Sequence, residues 1–244
     1  MTDELFREDA RLAECEARIN AIAPEGLILD RTVFYPVGGG QAGDAGTITL
    51  SDGHVITIAD TRKHKLEDGT FSGGILHVAA PDHIARIAAM QAGDEVTARI
   101  DWPRRLRLMR FHTTTHLLCA LVPHAVNGCS ITPEYARLDF HMNDPLDKDA
   151  LTDGIARFVA KAQPVTHRWI DEAELDANPG LVRSMSVQPP RGTGRVRVID
   201  IAGIDLQPCG GTHVGNTAEI GRVVVTKIEK KSAMTRRVVL GFGD

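Results

Sequence analysis

His112 and His116 stand four residues apart in Arg110-Phe-His-Thr-Thr-Thr-His-Leu-Leu118, and Cys209 and His213 stand four apart in Pro208-Cys-Gly-Gly-Thr-His213. On a helix, positions i and i+4 leave the same face one turn apart. Two imidazoles so placed can converge on a point about 2 Å from each ring nitrogen, which is zinc-ligand geometry. The glycine pair between Cys209 and His213 lets the backbone bend tightly and bring both side chains to one side. His112, His116, Cys209 and His213 are therefore a candidate donor set for zinc. With 10 His and 4 Cys in 244 residues, either pair alone is a weak signal, and the two together carry the argument. The competing reading makes His112 and His116 satisfied helix histidines and Cys209 a buried thiol.

The elements that would position these groups follow from the surrounding pattern. Pro103 suits the first turn of a helix with Asp101 just upstream. Leu106, Met109, Phe111, Leu117 and Leu118 supply its apolar contacts until Pro123 stops it. Thr113, Thr114 and Thr115 are poor helix formers, so packing or metal must hold the middle of this helix. Cys209–His213 is expected in the loop after a strand. Asp147 to Gln163 is an amphipathic helix ended by Pro164. Strands are expected over Ala136–Met142, Val165–Ile170, Val182–Val187, Arg195–Ile201, Ile220–Ile228 and Arg237–Gly241. Pro189–Gly194 is a hairpin or lid candidate.

Residues 1–100 read differently. Cys15 to Ile22 alternates with a period of two, and Gly26 to Tyr35 is an apolar, β-branched and aromatic run ending at Pro36-Val-Gly-Gly-Gly-Gln41. Turn signals bracket further strands at Thr47–Leu50 and Val55–Ala59. Consecutive glycines after a strand mark a close backbone approach or a flexible hairpin loop. Without a Walker lysine or dinucleotide spacing they say nothing for ATP or NAD. The fold class expected is α+β: a small N-terminal β-barrel over 1–100, then over 101–244 a two-layer sandwich with helices on an antiparallel sheet.

Composition narrows the setting. At 43% hydrophobic residues the chain can bury real cores. The acidic N-terminus lacks a signal-peptide pattern and no apolar run reaches membrane-spanning length, so a cytoplasmic protein without membrane attachment is expected. Four scattered cysteines argue against a disulfide framework and a zinc ribbon. The net charge of −4 divides unevenly: residues 1–100 carry 9 Lys+Arg against 16 Asp+Glu, and the rest carry 19 against 16. Basic clusters at Arg104/Arg105/Arg107/Arg110, Arg191/Arg195/Arg197 and Lys227/Lys230/Lys231/Arg236/Arg237 either track phosphates or form solvated faces. Trp102 and Trp169 are read as core anchors before stacking platforms.

His112-Thr-Thr-Thr-His116-Leu-Leu, Arg195-Val-Arg-Val-Ile-Asp-Ile201, and Gln207-Pro-Cys-Gly-Gly-Thr-His213-Val with Thr217-Ala-Glu-Ile-Gly221 resemble the editing domain of alanyl-tRNA synthetase and its freestanding relatives, the AlaX proteins. Thr32-Val-Phe-Tyr-Pro-Val-Gly-Gly-Gly-Gln41, with Asp44 and Gly46, is similar to the glycine-rich motif of the medium-length AlaX type. The two metal motifs are shared more remotely with threonyl-tRNA synthetase editing domains. No segment resembles a class II synthetase catalytic domain, and there is no room for the C-terminal extension of the long AlaX type.

The resemblance implies an ATP-independent trans-editing hydrolase that deacylates tRNA(Ala) mischarged with serine or glycine. It implies His112, His116, Cys209 and His213 as zinc ligands, and a loop Gly38, Gly39, Gly40, Gln41 facing the aminoacyl site. Thr32 would recognise the serine hydroxyl, which a side-chain hydroxyl can hydrogen-bond and alanine cannot imitate. Synthetase editing domains commonly carry Gln-x-Gly after the first site helix, where this chain reads Asn127-Gly-Cys129, one methylene shorter.

Four protein ligands normally close a zinc site. Three readings stay open: a ligand such as His213 is labile, the metal organises the pocket or anchors substrate, or water is activated elsewhere. The second is favoured, with backbone N–H groups of the glycine-rich loop stabilising the oxyanion. No catalytic residue is assigned. A Cys209/His213 nucleophilic dyad suffers because a zinc-bound thiolate is a poor nucleophile. A non-catalytic zinc-stabilised tRNA-binding module and a threonyl-type editing enzyme are the other functional readings. Nothing in the chain decides its oligomeric state.

Overall fold

The computed structural model describes residues 1–185, 188, 189, 192 and 194–243. The strand expected to end at Val187, the loop Pro189–Gly194 and the basic cluster containing Arg191 thus lie partly outside the described residues. The chain divides into two compact units, one of residues 1–38 and 42–106, the other of 39–41 and 107–244.

The first unit contains β1 (Asp3–Glu4), β2 (Glu14–Ala23), β3 (Gly26–Leu29), β4 (Arg31–Thr32), β5 (Gly46–Leu50), β6 (Val55–Lys65), β7 (Phe71–Ala79), α1 (Ile84–Ile87) and β8 (Glu95–Ile100). Six of these strands pair in the order β2-β3-β7-β6-β5-β8, and antiparallel pairing of β2 with β8 closes the ring. The period-two pattern of β2 has its expected result, with Ala17 and Ile19 buried between exposed charged neighbours. Ile19, Leu27, Leu29, Ile48, Ile56, Ile58, Val96 and Ala98 fill the interior. Each fully buried aliphatic side chain contributes about 1.5–3 kcal/mol over its exposed state. Trp102 packs against this core, as an anchor does.

A buried ion pair ties the base of the glycine-rich segment. The side chains of Arg105 and Asp44 are 0% and 1% exposed. The guanidinium also donates to Val33 O at 2.6 Å and Ala10 O at 2.9 Å, while Asp44 Oδ2 accepts Tyr35 N–H at 2.7 Å. A buried pair is tolerable when its remaining donors and lone pairs are met in this way.

The second unit takes up the helix α2 (Trp102–Leu121) from Arg107 onward. It continues with β9 (Val126–Ile131), β10 (Ala136–His141), α3 (Lys148–Ala160), β11 (Val165–Asp171), α4 (Glu172–Ala177), β12 (Arg195–Ile201), β13 (Asp205–Pro208), β14 (Val223–Ser232) and β15 (Thr235–Phe242). Two antiparallel sheets form, β14-β15-β10-β9 and β11-β12-β13. The fold is mixed α/β with antiparallel pairing throughout these sheets, as the strand and helix patterns require.

Asp147 caps α3 by accepting the Asp149 and Ala150 N–H groups. Gly154 lets α3 approach α2, since a Cβ there would stand 2.8 Å from Leu121 Cδ1. The strand expected from Ile220 starts instead at Val223, because Thr217–Ile220 forms a 3-10 turn capped by the Asn216 side chain. Ser184 pairs with Val126 as an isolated parallel bridge. No helix among the described residues is long and apolar enough to cross a membrane.

Candidate metal centre

The helix α2 carries His112 and His116, each 5% exposed, with ring centroids 5.7 Å apart. The threonine run between them is made compatible with a helix by its hydroxyls. Thr114 Oγ1 donates to Arg110 O at 2.8 Å and Thr115 Oγ1 to His112 O at 2.7 Å. Such back-bonding satisfies buried hydroxyls that would otherwise cost stability.

The second pair arrives on the loop after β13. Arg197 Nη1 holds this loop by donating to Cys209 O at 2.9 Å and Gly211 O at 3.1 Å. Gly211 passes so close to the helix that a Cβ would lie 2.2 Å from His112 Cε1. As a result the ligating atoms of His112, His116, Cys209 and His213 all fall within 4.8 Å of one another. His112, His116 and His213 are buried, whereas Cys209 is partly exposed and Gly210 exposed.

Each imidazole is held from behind. His112 Nδ1 lies 2.7 Å from Gln41 Oε1, His116 Nδ1 2.8 Å from Asp205 Oδ2, and His213 Nδ1 3.2 Å from Thr113 Oγ1. Gln207 Nε2 donates to the same Asp205 oxygen at 2.7 Å. The Nε2 atoms of His112 and His213 face Cys209 Sγ at 3.5 and 3.3 Å. Orienting acceptors on Nδ1 with Nε2 turned inward are how proteins present histidine to a metal. Three imidazoles and a thiol fit a zinc-type donor set, and the cluster can hold a metal ion.

The electrostatics agree with that use. Burial opposes a charge on Cys209, yet the His112 and His213 imidazoles beside it hold its pKa well below the usual thiol value. Burial would likewise lower His116, but the Asp205 hydrogen bond and the Cys209 sulfur push it up to about 10. His213 is lowered to about 3 by burial and by His112. Cys119 and Cys129, without such neighbours, are pushed by burial up to about 12. Cys209 alone among these three thiols is disposed to be a thiolate, the form that binds metal.

The remaining expected residues are placed as follows. Gln41 belongs to the second unit and is fully buried, with its amide engaged by His112 and Thr212. Gly40 lies over Cys129: its φ is +85° and a Cβ would come within 2.7 Å of Cys129 Sγ, so only glycine fits. Gly39 also has a positive φ of 59°. Gly38 belongs to the first unit, where its carbonyl accepts the Tyr35 hydroxyl at 2.9 Å. Thr32 is in the first unit too, fully buried, its Oγ1 accepting Phe34 N–H at 3.0 Å and lying 2.7 Å from His77 Nε2.

Asn127 is exposed on β9, its amide 3.5 Å from Thr235 Oγ1. Trp169 lies under the Arg195 guanidinium at 4.8 Å. The first basic cluster is engaged by internal partners at three of its arginines. Arg105 is buried, Arg104 donates to Gly43 O and Arg110 to Ile220 O, because carbonyls near the helix supply partners at 3.1 and 2.6 Å. Asp205, Gln207, Thr113 and Arg197 support the cluster and were not singled out for that from the sequence. Thr113 left a local signal, as one of three poor helix formers in a helix, and Arg197 and Gln207 stood within the motifs that carry the resemblance.

Comparison with known proteins adds kinship. Residues 196–239 match the family described as threonyl and alanyl tRNA synthetase second additional domain. Residues 7–104 match the family described as tRNA synthetases class II (A). The chain is 32% identical over 242 residues to the alanyl-tRNA editing protein AlaX-M of Saccharolobus solfataricus, covering 98% of each chain. It is 31% identical over 252 residues to AlaX-M of Methanosarcina barkeri, covering 100% of each. It is 34% identical to the alanine–tRNA ligase of Metallosphaera sedula over 94% of this chain, spanning 25% of that longer protein.

Proposed function

The chain belongs to the alanyl-tRNA editing protein family, and we propose that it is an aminoacyl-tRNA hydrolase acting in trans on tRNA(Ala) mischarged with serine or glycine. The observation that carries the reading is the convergence of His112, His116, Cys209 and His213 within 4.8 Å, with Cys209 partly exposed. We assign zinc to this cluster, with the four side chains as its ligands. These side chains would hold the ion, and when bound it would organise the pocket or anchor the aminoacyl group.

The protein's own residues do the remainder. Asp205, Gln41 and Thr113 hold the imidazoles in place, so the geometry is set before substrate arrives. Backbone N–H groups of Gly38, Gly39 and Gly40 are the proposed donors to the oxyanion of the tetrahedral intermediate. Thr32 is the proposed discriminator. His77 Nδ1 lies 3.0 Å from Leu27 O and must donate to it, so Nε2 accepts the Thr32 hydroxyl proton. Thr32 Oγ1 also accepts Phe34 N–H, which leaves it one lone pair. That lone pair can accept a serine O–H and nothing from an alanine methyl.

The test is deacylation of tRNA(Ala) charged separately with serine, glycine and alanine, using zinc-loaded protein at catalytic concentration beside a no-enzyme control. Release of serine or glycine with alanine spared supports the proposal. Tight tRNA binding without release from any of the three would make the chain a zinc-stabilised binding module and overturn it.

A further inference from the structure

We propose that Gln41 is a positioning residue that fixes the tautomer of His112 and couples the glycine-rich loop to metal binding. The argument starts from a donor whose role is not in question. The backbone N–H of Thr212 can only donate, and it meets Gln41 Oε1 at 3.2 Å. The side-chain amide is therefore oriented, with Nε2 donating to Thr212 Oγ1 at 2.9 Å. His112 Nδ1 lies 2.7 Å from the same Oε1, so Nδ1 must carry the hydrogen. The Nε2 lone pair is then left for the cluster, facing Cys209 Sγ.

Gln41 is fully buried, so no bulk water can replace it at that nitrogen. One amide thus reaches the helix through His112 and the Cys209–His213 loop through Thr212. Its backbone is also held: Gln41 bridges to Ile131, and Gly40 O accepts Ile131 N–H at 2.7 Å. Because loop and ligand share a hydrogen bond, displacement of the loop weakens metal binding, and by linkage metal binding holds the loop. This role rests on reading the cluster as a metal centre, and it gives Gln41 a task other than contact with the aminoacyl group.

The experiment compares wild type with Gln41→Met and Gln41→Glu. Methionine keeps the length and removes the acceptor. Glutamate keeps the acceptor, and the Thr212 hydroxyl can rotate to donate to its second oxygen. Three quantities are measured: zinc affinity by competition with a chromophoric chelator, the 15N shifts of the His112 ring in metal-free protein, and amide exchange at residues 39–41 with and without zinc. Gln41→Met should weaken zinc binding by about 10- to 100-fold and release the His112 Nδ1 hydrogen. Gln41→Glu should restore both, and chelation should speed exchange at residues 39–41.

Zinc binding within threefold of wild type in Gln41→Met, with Nδ1 still protonated, would overturn the proposal. Equal losses in both variants would do the same, because they would show a packing effect. A wild type that binds no zinc defeats the metal reading alone. The His112 shifts in metal-free protein then still show whether Gln41 sets the tautomer.

Discussion

Gly211→Ala isolates the closest approach in the candidate centre. The added Cβ would lie 2.2 Å from His112 Cε1 and 2.5 Å from Nδ1, and 3.4–4 Å is ordinary contact, so the ring must retreat by about 1.2 Å. Metal–ligand distances tolerate only about 0.2 Å. His112 therefore leaves the donor set, or the loop shifts and takes Cys209 with it. A loss of at least about 100-fold in zinc affinity is expected.

In zinc at a thousand times the wild-type Kd, binding stabilises the native protein by about 4.1 kcal/mol, and a 100-fold loss leaves about 1.4 kcal/mol. The substitution also crowds the site and costs about 1–3 kcal/mol without metal. The discriminating quantity is thus the zinc-dependent increment in Tm, which should fall by roughly 5–10 °C at 2–4 °C per kcal/mol. Scanning fluorimetry with zinc and with chelator measures it. Gly180→Ala serves as control, because an added Cβ there meets nothing within 4 Å. An undiminished increment with affinity within about threefold of wild type would refute the packing argument.

Three further outcomes are expected. Cys209→Ala should lower zinc content and deacylase activity together, by metal analysis and single-turnover assay, and a zinc-replete, fully active variant would remove Cys209 from the ligands. Thr32→Val should raise the glycine-to-serine rate ratio, and by leaving His77 Nε2 unpaired it should cost about 1–3 kcal/mol in urea unfolding; an unchanged ratio would exclude Thr32 from recognition. His77 is lowered by burial from 6.5 to about 4, so the unfolded chain takes up the proton first. The stability it contributes is present above about pH 6.5 and is lost as pH falls towards 4, by about 3 kcal/mol. Denaturant unfolding of chelated protein between pH 7 and 4 should show a drop smaller by about 3 kcal/mol in His77→Gln than in wild type, and identical profiles would contradict it.

The sequence was legible where a feature is local. The period-two alternation of Ala17 and Ile19, the capped amphipathic helix opened by Asp147 and the His-x3-His spacing each depend on neighbours within a turn or two. Their elements are found close to where the pattern puts them. The pattern was less informative where tertiary partners decide. The arginines from Arg104 to Arg110 read as a phosphate track or a solvated face, and neither reading shows that Asp44, Gly43 O and Ile220 O engage three of them. Val126–Ile131 escaped notice as a strand because its strand pairing is with β10 and half its residues are polar or glycine.

By itself the sequence determined which four side chains can ligate a metal, since residue type and the four-residue spacings of a helix and a glycine loop are properties of the chain. Tertiary structure alone decided that the two pairs meet and how each ring is turned. His112 is oriented by Gln41, 71 residues away, and His116 by Asp205, 89 residues away. A hydrogen bond across such a separation leaves no periodic trace in the chain. It exists only after burial has removed the competing water and the fold has set donor and acceptor within 3 Å.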